Sequence, residues 1–229
     1  MTAEEIVGRL KDNRNPENVK GMARFGISSV NTLGIPMPVV RQMAKETGKN
    51  HVTALELWKT GIHEARILAA LIDDPKMVTE SQMENWVKDF DSWDVCDQCC
   101  MNLFDKTSFA YHKAFEWSER KEEFVKRAGF TLMASLAVHD KKAPDECLSE
   151  FLPVIEREAW DERNFVKKAV NWALRQIGKR NGQLNQLALA TAARILEQDS
   201  KAAKWIARDA IKELSGEKMA AYIKKRVNI

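Results

Sequence analysis

Apolar residues along this chain recur at three- and four-residue intervals, in segments of 10 to 18 residues separated by turn formers. Asn15-Pro16 opens one helix, running through Val19, Met22, Ala23 and Phe25. Gly34-Ile-Pro-Met-Pro38 is a turn, and the helix beginning at Val39 has Pro near its first position. His63 to Ile72 is a short apolar helix stopped by Asp73-Asp-Pro75, and Thr79 supplies a capping side chain for the next. Ser92 caps a helix from Trp93 to about Phe104, while Lys121–Leu136 and Asp161–Ile177 are strongly amphipathic. Gly178-Lys-Arg-Asn-Gly182 breaks the chain, and two further helices are expected after it. No run alternates apolar and polar positions as a half-buried strand does.

A dozen or so short helices in series, at about 40 residues per helix pair, predict an all-α protein. The expected architecture is an α-solenoid of HEAT-like helical repeats with a concave basic groove, one domain over residues 1–229. Trp58, Trp86, Trp117, Trp160 and Trp205 are expected in its core, as tryptophans of amphipathic helices usually are.

Composition narrows the function classes. The chain is 45% hydrophobic and 30% charged, which fits a globular protein. No stretch approaches the roughly 20 apolar residues of a membrane span. The acidic start Met1-Thr-Ala-Glu-Glu-Ile lacks the features of a secretion signal, so a cytoplasmic protein with no membrane partner is expected. Cys96, Cys99 and Cys100 are too crowded for structural disulfides, and no second Cys/His pair stands at ligand spacing. They read as small residues packed on a helix, with no metal and no cofactor expected. Four scattered histidines, and no phosphate-binding or Ser-His-Asp motif, argue against those chemistries.

Charge is unevenly spread. Residues 1–162 carry 21 Lys/Arg and 28 Asp/Glu, a net of −7, whereas residues 163–229 carry 15 and 5, a net of +10. The C-terminal third therefore suits a polyanion partner, or presents a solvated basic surface with none.

Three segments place a large or charged polar residue early in an apolar helix: Ser92-Trp-Asp-Val-Cys-Asp97, Val125-Lys-Arg-Ala-Gly-Phe130 and Lys168-Ala-Val-Asn-Trp-Ala-Leu-Arg175. Trp93, Arg127 and Trp172 are 34 and 45 residues apart, about one repeat each, and equivalent positions of successive repeats line one face. Asp97 follows Trp93 by four residues, while Lys168 precedes Trp172 by four and Arg175 follows it by three, so each shares a helix face with its tryptophan. Two indoles, one carboxylate and several cations suit a DNA groove, the indoles meeting sugars and bases and the cations phosphates. Core packing, a protein-binding groove and a simple Arg127–Asp97 ion pair account for parts of the same pattern. An acid among phosphate-binding cations opposes binding, and so needs another reason to be there.

From about Asn15 to Val227 the sequence resembles the AlkD family of HEAT-like-repeat DNA glycosylases of alkylation repair. The likeness rests on Met22-Ala-Arg-Phe25, Leu33-Gly-Ile-Pro-Met-Pro38-Val-Val-Arg-Gln, Ser92-Trp-Asp-Val-Cys-Asp97, Lys126-Arg-Ala-Gly and Lys167-Lys-Ala-Val-Asn-Trp-Ala-Leu-Arg175. The resemblance implies hydrolysis of the N-glycosidic bond of N3- or N7-alkylated purines in duplex DNA. No lysine nucleophile stands out, so no strand-cleaving lyase step is expected, and the protein is expected to be a monomer. The resemblance also implies that Asp97 is the catalytic carboxylate and Arg127 a backbone-holding arginine beside it. Trp93 and Trp172 take the places of tryptophans on the damaged nucleotide. Phe25 stands where the family pattern has a tyrosine near the lesion, and Ser92 where it has a second aromatic. Phe25, Lys126, Lys168 and Arg175 are the expected DNA contacts. Some relatives in the wider family bind DNA without base excision, and retention of Asp97, Arg127 and both tryptophans implies an active member.

Overall fold

The computed structural model describes residues 1–227, with side chains to residue 224. Among the described residues all regular structure is helical: fifteen α-helices and one 3-10 turn, with no strand. The chain forms two compact units, Met1–Phe109 and Ala110–Ile229.

The first unit comprises α1 (Ala3–Asp12), α2 (Pro16–Ala23), α3 (Met37–Thr47), α4 (His51–Lys59), α5 (His63–Ile72), α6 (Glu80–Lys88) and α7 (Trp93–Asn102), then a 3-10 turn at Phe104–Lys106. Helix starts follow local chemistry. The Asn15 side chain accepts from the N–H groups of Glu17 and Asn18 with Pro16 at the first position, and Thr79 accepts from Gln82. Helix α5, buried at eight of its ten positions, packs against α3, α4 and α7. Its Glu64 carboxylate is 1% exposed and accepts N–H bonds from Leu33, Gly34 and Ile35 at 2.6–3.1 Å. Those bonds fix the turn that precedes α3, where Gly34 adopts φ +78° against the Asn15 carbonyl. Trp58 and Trp86 stack at 3.9 Å, and the Trp58 indole donates to Asp89.

The second unit comprises α8 (Ala110–Ser118), α9 (Glu123–His139), α10 (Asp145–Ser149), α11 (Phe151–Glu158), α12 (Asn164–Gly178), α13 (Gly182–Leu196), α14 (Lys201–Leu214) and α15 (Glu217–Val227). Helix α9 is buried without interruption from Val125 to Ala137, because α8 covers one side and α12 another. Gly129 permits the α8 contact: a Cβ there would stand 2.5 Å from the Ser118 nitrogen and 3.0 Å from the Ala114 oxygen. The α12, α13 and α14 helices continue the stack.

Repetition shows in the side-chain ties between neighbouring helix pairs. In the first unit Glu64 reaches Leu33, Asp89 reaches Trp58 and Asp94 reaches His63, each across 31 residues. In the second, Glu119–Arg157, Glu156–Arg194, Asn171–Asp209 and Arg175–Glu213 each span 38 residues. Such a ladder is the mark of stacked repeats, and the expected all-α HEAT-like fold is borne out.

Element boundaries depart from the sequence reading in instructive ways. The helix expected from Asp161 begins at Asn164, because the Asp161 carboxylate accepts from the Arg163 backbone and guanidinium and so anchors the preceding turn. Three helices, not two, follow Gly178. Trp58, Trp86 and Trp117 lie in the core as expected, but Trp160 is 56% and Trp205 41% exposed. In these two cases a basic residue takes the place of core atoms: Lys126 Nζ lies 5.5 Å from the Trp160 ring, and Lys167 Nζ 5.1 Å from that of Trp205.

Candidate functional site

In the first unit the candidate residues gather at the start of α7. Ser92 has the extended backbone of a helix cap, yet its hydroxyl donates to Asp94 Oδ1 at 2.9 Å instead of capping. Trp93, half-buried, donates its indole N–H to the Phe25 carbonyl at 3.1 Å, which joins two segments 68 residues apart. The Phe25 ring itself is 73% exposed. Asp97 lies one turn beyond Trp93 on the same helix face and is buried.

Behind Trp93, the buried His63 Nε2 faces Asp94 Oδ2 at 2.8 Å. Burial alone would lower the histidine pKa, but the Asp94 hydrogen bond and charge outweigh it and raise His63 above its ordinary value. Burial likewise pushes Asp94 upward, and the bonds from His63 and Ser92 overcome that to leave its carboxyl below the usual range. The α7 cysteines have no exposed thiol: Cys96, Cys99 and Cys100 are fully buried and unbridged, and burial drives the Cys99 and Cys100 thiols well up. They pack as small apolar residues, as the sequence led us to expect. A cleft of about 650 Å³ opens beside Trp93, between α2, the start of α3 and α7.

In the second unit Arg127 is buried on α9, where its Nη1 donates to the Phe165 carbonyl at 2.6 Å, one 38-residue repeat on. Trp172, half-buried, stands midway along α12, with Lys168 exposed one turn before it. The 45 residues between Arg127 and Trp172 thus comprise one repeat plus seven residues, which keeps them on one side of their helices but two turns out of step. Arg175 pairs with Glu213 at 2.6 Å and lies 3.4 Å from Asp209, and Lys179 joins the same Glu213. Lys126 departs from the DNA contact expected of it. It is 5% exposed, bonds Glu158 at 2.5 Å and lies 3.6 Å from Asp161, so its charge is neutralised inside the protein.

Sequence reasoning missed a basic strip on α14. Lys201, Lys204, Trp205, Arg208 and Lys212 line a shallow cleft of about 410 Å³, beside Lys167 of α12. The signal was present, since 201, 205, 208 and 212 follow helical spacing along one face. Assigning Trp205 to the core concealed it.

A buried carboxylate one turn from an indole in the first unit, and a tryptophan one turn from an exposed lysine in the second, are carried on a frame of HEAT-like helical repeats. Residues 6–214 match the family model described as DNA alkylation repair enzyme, and the chain belongs to that family. The motif resemblance is borne out at this level. Among solved structures the chain is similar to one described as a new family of proteins related to the HEAT-like repeat DNA glycosylases with affinity for branched DNA structures. The TM-score is 0.76 at 19% identity, covering 93% of this chain and 95% of that one. No curated protein matches the sequence. No helix among the described residues is long and apolar enough to cross a membrane.

Proposed function

We propose that the protein is a DNA glycosylase that hydrolyses the N-glycosidic bond of N3- or N7-alkylated purines in duplex DNA. One observation carries the reading: Asp97 is held buried one helical turn from the half-buried Trp93, in a chain of the alkylation-repair family. Alkylation gives the base a positive charge, so it departs with the bonding electron pair as a neutral ring and needs no strong acid. Positive charge then develops on the sugar. Asp97 stabilises that oxocarbenium ion and aligns the water that attacks C1′, whose proton passes to solvent. Trp93 offers its indole face to the deoxyribose, which a cationic sugar favours further, and Trp172 offers its own to the DNA from the second unit. Arg127 holds the backbone from its fixed position on α9. Lys168 and the α14 strip neutralise phosphates, while Arg175 reaches one only by exchanging its carboxylate partners.

The test is release of N7-methylguanine from a duplex oligonucleotide. Release is expected from the wild type, with the rate lowered about a hundredfold or more in Asp97→Asn. Full activity in that variant refutes the carboxylate's role. A second reading is favoured by the structural neighbour, described as having affinity for branched DNA. In that case the duplex is bound but no base is released, and a four-way junction is retained more tightly than the duplex.

A further inference from the structure

Helix α14 presents an indole among cations. Lys201, Trp205, Arg208 and Lys212 share one face over about 16 Å, at roughly 1.5 Å per residue, and line the cleft of about 410 Å³. Lys201, Arg208 and Lys212 are exposed, and among the described residues none of them forms an ion pair. The acids nearby are engaged elsewhere or fully solvated. Asp209 accepts from Asn171 at 2.7 Å and lies 3.4 Å from Arg175, while Glu162 accepts from the Ser200 hydroxyl and the Ala202 N–H. Asp199, 3.3 Å from Lys204, is wholly exposed, and such a pair is weak. Trp205 is the residue that charge alone does not explain. Lys167 Nζ stands 5.1 Å from its ring, yet the residue is still 41% exposed. An indole neutralises no phosphate, and leaving it in water is unfavourable. It does provide a platform on which a nucleic-acid base of any sequence can stack, and cations beside such a platform track the strand. Inside a duplex both faces of every base are covered by its neighbours, so only an unpaired nucleotide offers a face to Trp205.

We propose that α14 binds single-stranded DNA, stacking an unpaired base on Trp205 while Lys201, Arg208 and Lys212 hold the phosphates beside it. The inference rests on the DNA-binding part of the reading above and not on base release. It gives the strip a preference that phosphate neutralisation lacks, for DNA in which a strand lies exposed next to a duplex, as at a gap or a fork.

The experiment is a fluorescence-anisotropy titration of the full-length protein with one labelled duplex bearing a single-stranded overhang, made either of thymidines or of abasic residues. The two overhangs carry the same phosphates and differ only in their bases. Roughly tenfold tighter binding of the thymidine overhang is expected, from one base stacked on an indole. Trp205→Ala should bring the two affinities together, whereas Trp205→Phe, which keeps a π-face, should retain part of the difference. Equal binding of both overhangs by the wild type overturns the proposal, as does a Trp205→Ala protein that keeps the full preference. The wild-type comparison stands whatever the substitutions do to folding. Failure to bind either duplex refutes the DNA reading and the strip together, while binding of both alike refutes the stacking alone. Base release in the oligonucleotide assay, with no preference between overhangs, likewise retains the glycosylase and loses the single-strand site.

Discussion

At the scale of the residue, the start of α7 carries three carboxyl and hydroxyl side chains with different tasks. Ser92, just before the helix, and Asp94 in its first turn form a cluster with the buried His63, and Asp97 stands one turn beyond Trp93 on the face that carries it. The His63–Asp94 pair makes stability pH-dependent from both sides. His63 has a raised pKa, so its contribution is fully present below about 6.5 and is lost as pH rises through the folded value. Asp94 is lowered, so its contribution is present above about 3.8 and is lost as pH falls through its own folded value. The melting temperature of the wild type should therefore decline from pH 6 to pH 8 more steeply than that of His63→Gln. Parallel profiles would show that the pair carries no net proton linkage. For Trp172→Ala the expectation is a roughly tenfold slower base release with little change in melting temperature, since the indole is only half-buried. A large loss of melting temperature with unchanged release would return Trp172 to a packing role. The spacing that sets Asp97 on the face of Trp93 was legible in the sequence. The fate of Lys126 was not, because Glu158 and Asp161, which neutralise it, lie 32 and 35 residues away and come near only when α9 meets the end of α11.

At the scale of the element, close approach of backbones decides where substitution is tolerated. Gly129 lies inside α9, where alanine is intrinsically preferred by about 1 kcal/mol. Its added methyl would nonetheless press on the Ser118 and Ala114 backbone of α8, which cannot rotate away as a side chain would. Gly129→Ala should destabilise the protein by about 1–3 kcal/mol, seen as a fall of several degrees in melting temperature. A rise would mean that α8 moves aside without cost. Helices with a local stop and start signal, such as His63–Ile72 between a turn and Asp73-Asp-Pro75, were readable to the residue. The start of α12 was not, since Asp161 and Arg163 resemble a first helical turn until their mutual hydrogen bonds are seen. Trp160 and Trp205 were misassigned for a related reason. Apolar periodicity reports which face an indole occupies but not whether an adjacent lysine covers it.

At the scale of the whole molecule, the basic C-terminal third gives the proposed DNA contact its ionic character. The logarithm of the affinity for duplex DNA should fall linearly with the logarithm of salt concentration, by about 0.9 in slope for each phosphate neutralised. Replacing Lys201, Lys204, Arg208 and Lys212 together by alanine should flatten that slope while leaving the melting temperature largely unchanged, because all four line the surface cleft on α14. An unaltered slope would detach the strip from DNA. Charge asymmetry was visible from composition, whereas its concentration around an exposed tryptophan required the fold.

The 38-residue ladder has a further consequence for how such a chain changes length. Glu156 and Arg157 are adjacent, the glutamate facing forward to Arg194 and the arginine back to Glu119. The middle repeat of the second unit thus meets both neighbours through complementary charges. A tandem duplication of that 38-residue block would add one seam, at which the same register sets Glu156 opposite its own copy and Arg157 opposite its own copy, like charge against like. Growth by whole repeats therefore keeps the helices in step but requires one side of the new seam to exchange its charges, while an insertion of any other length inside α11 or α12 would leave the ladder out of register.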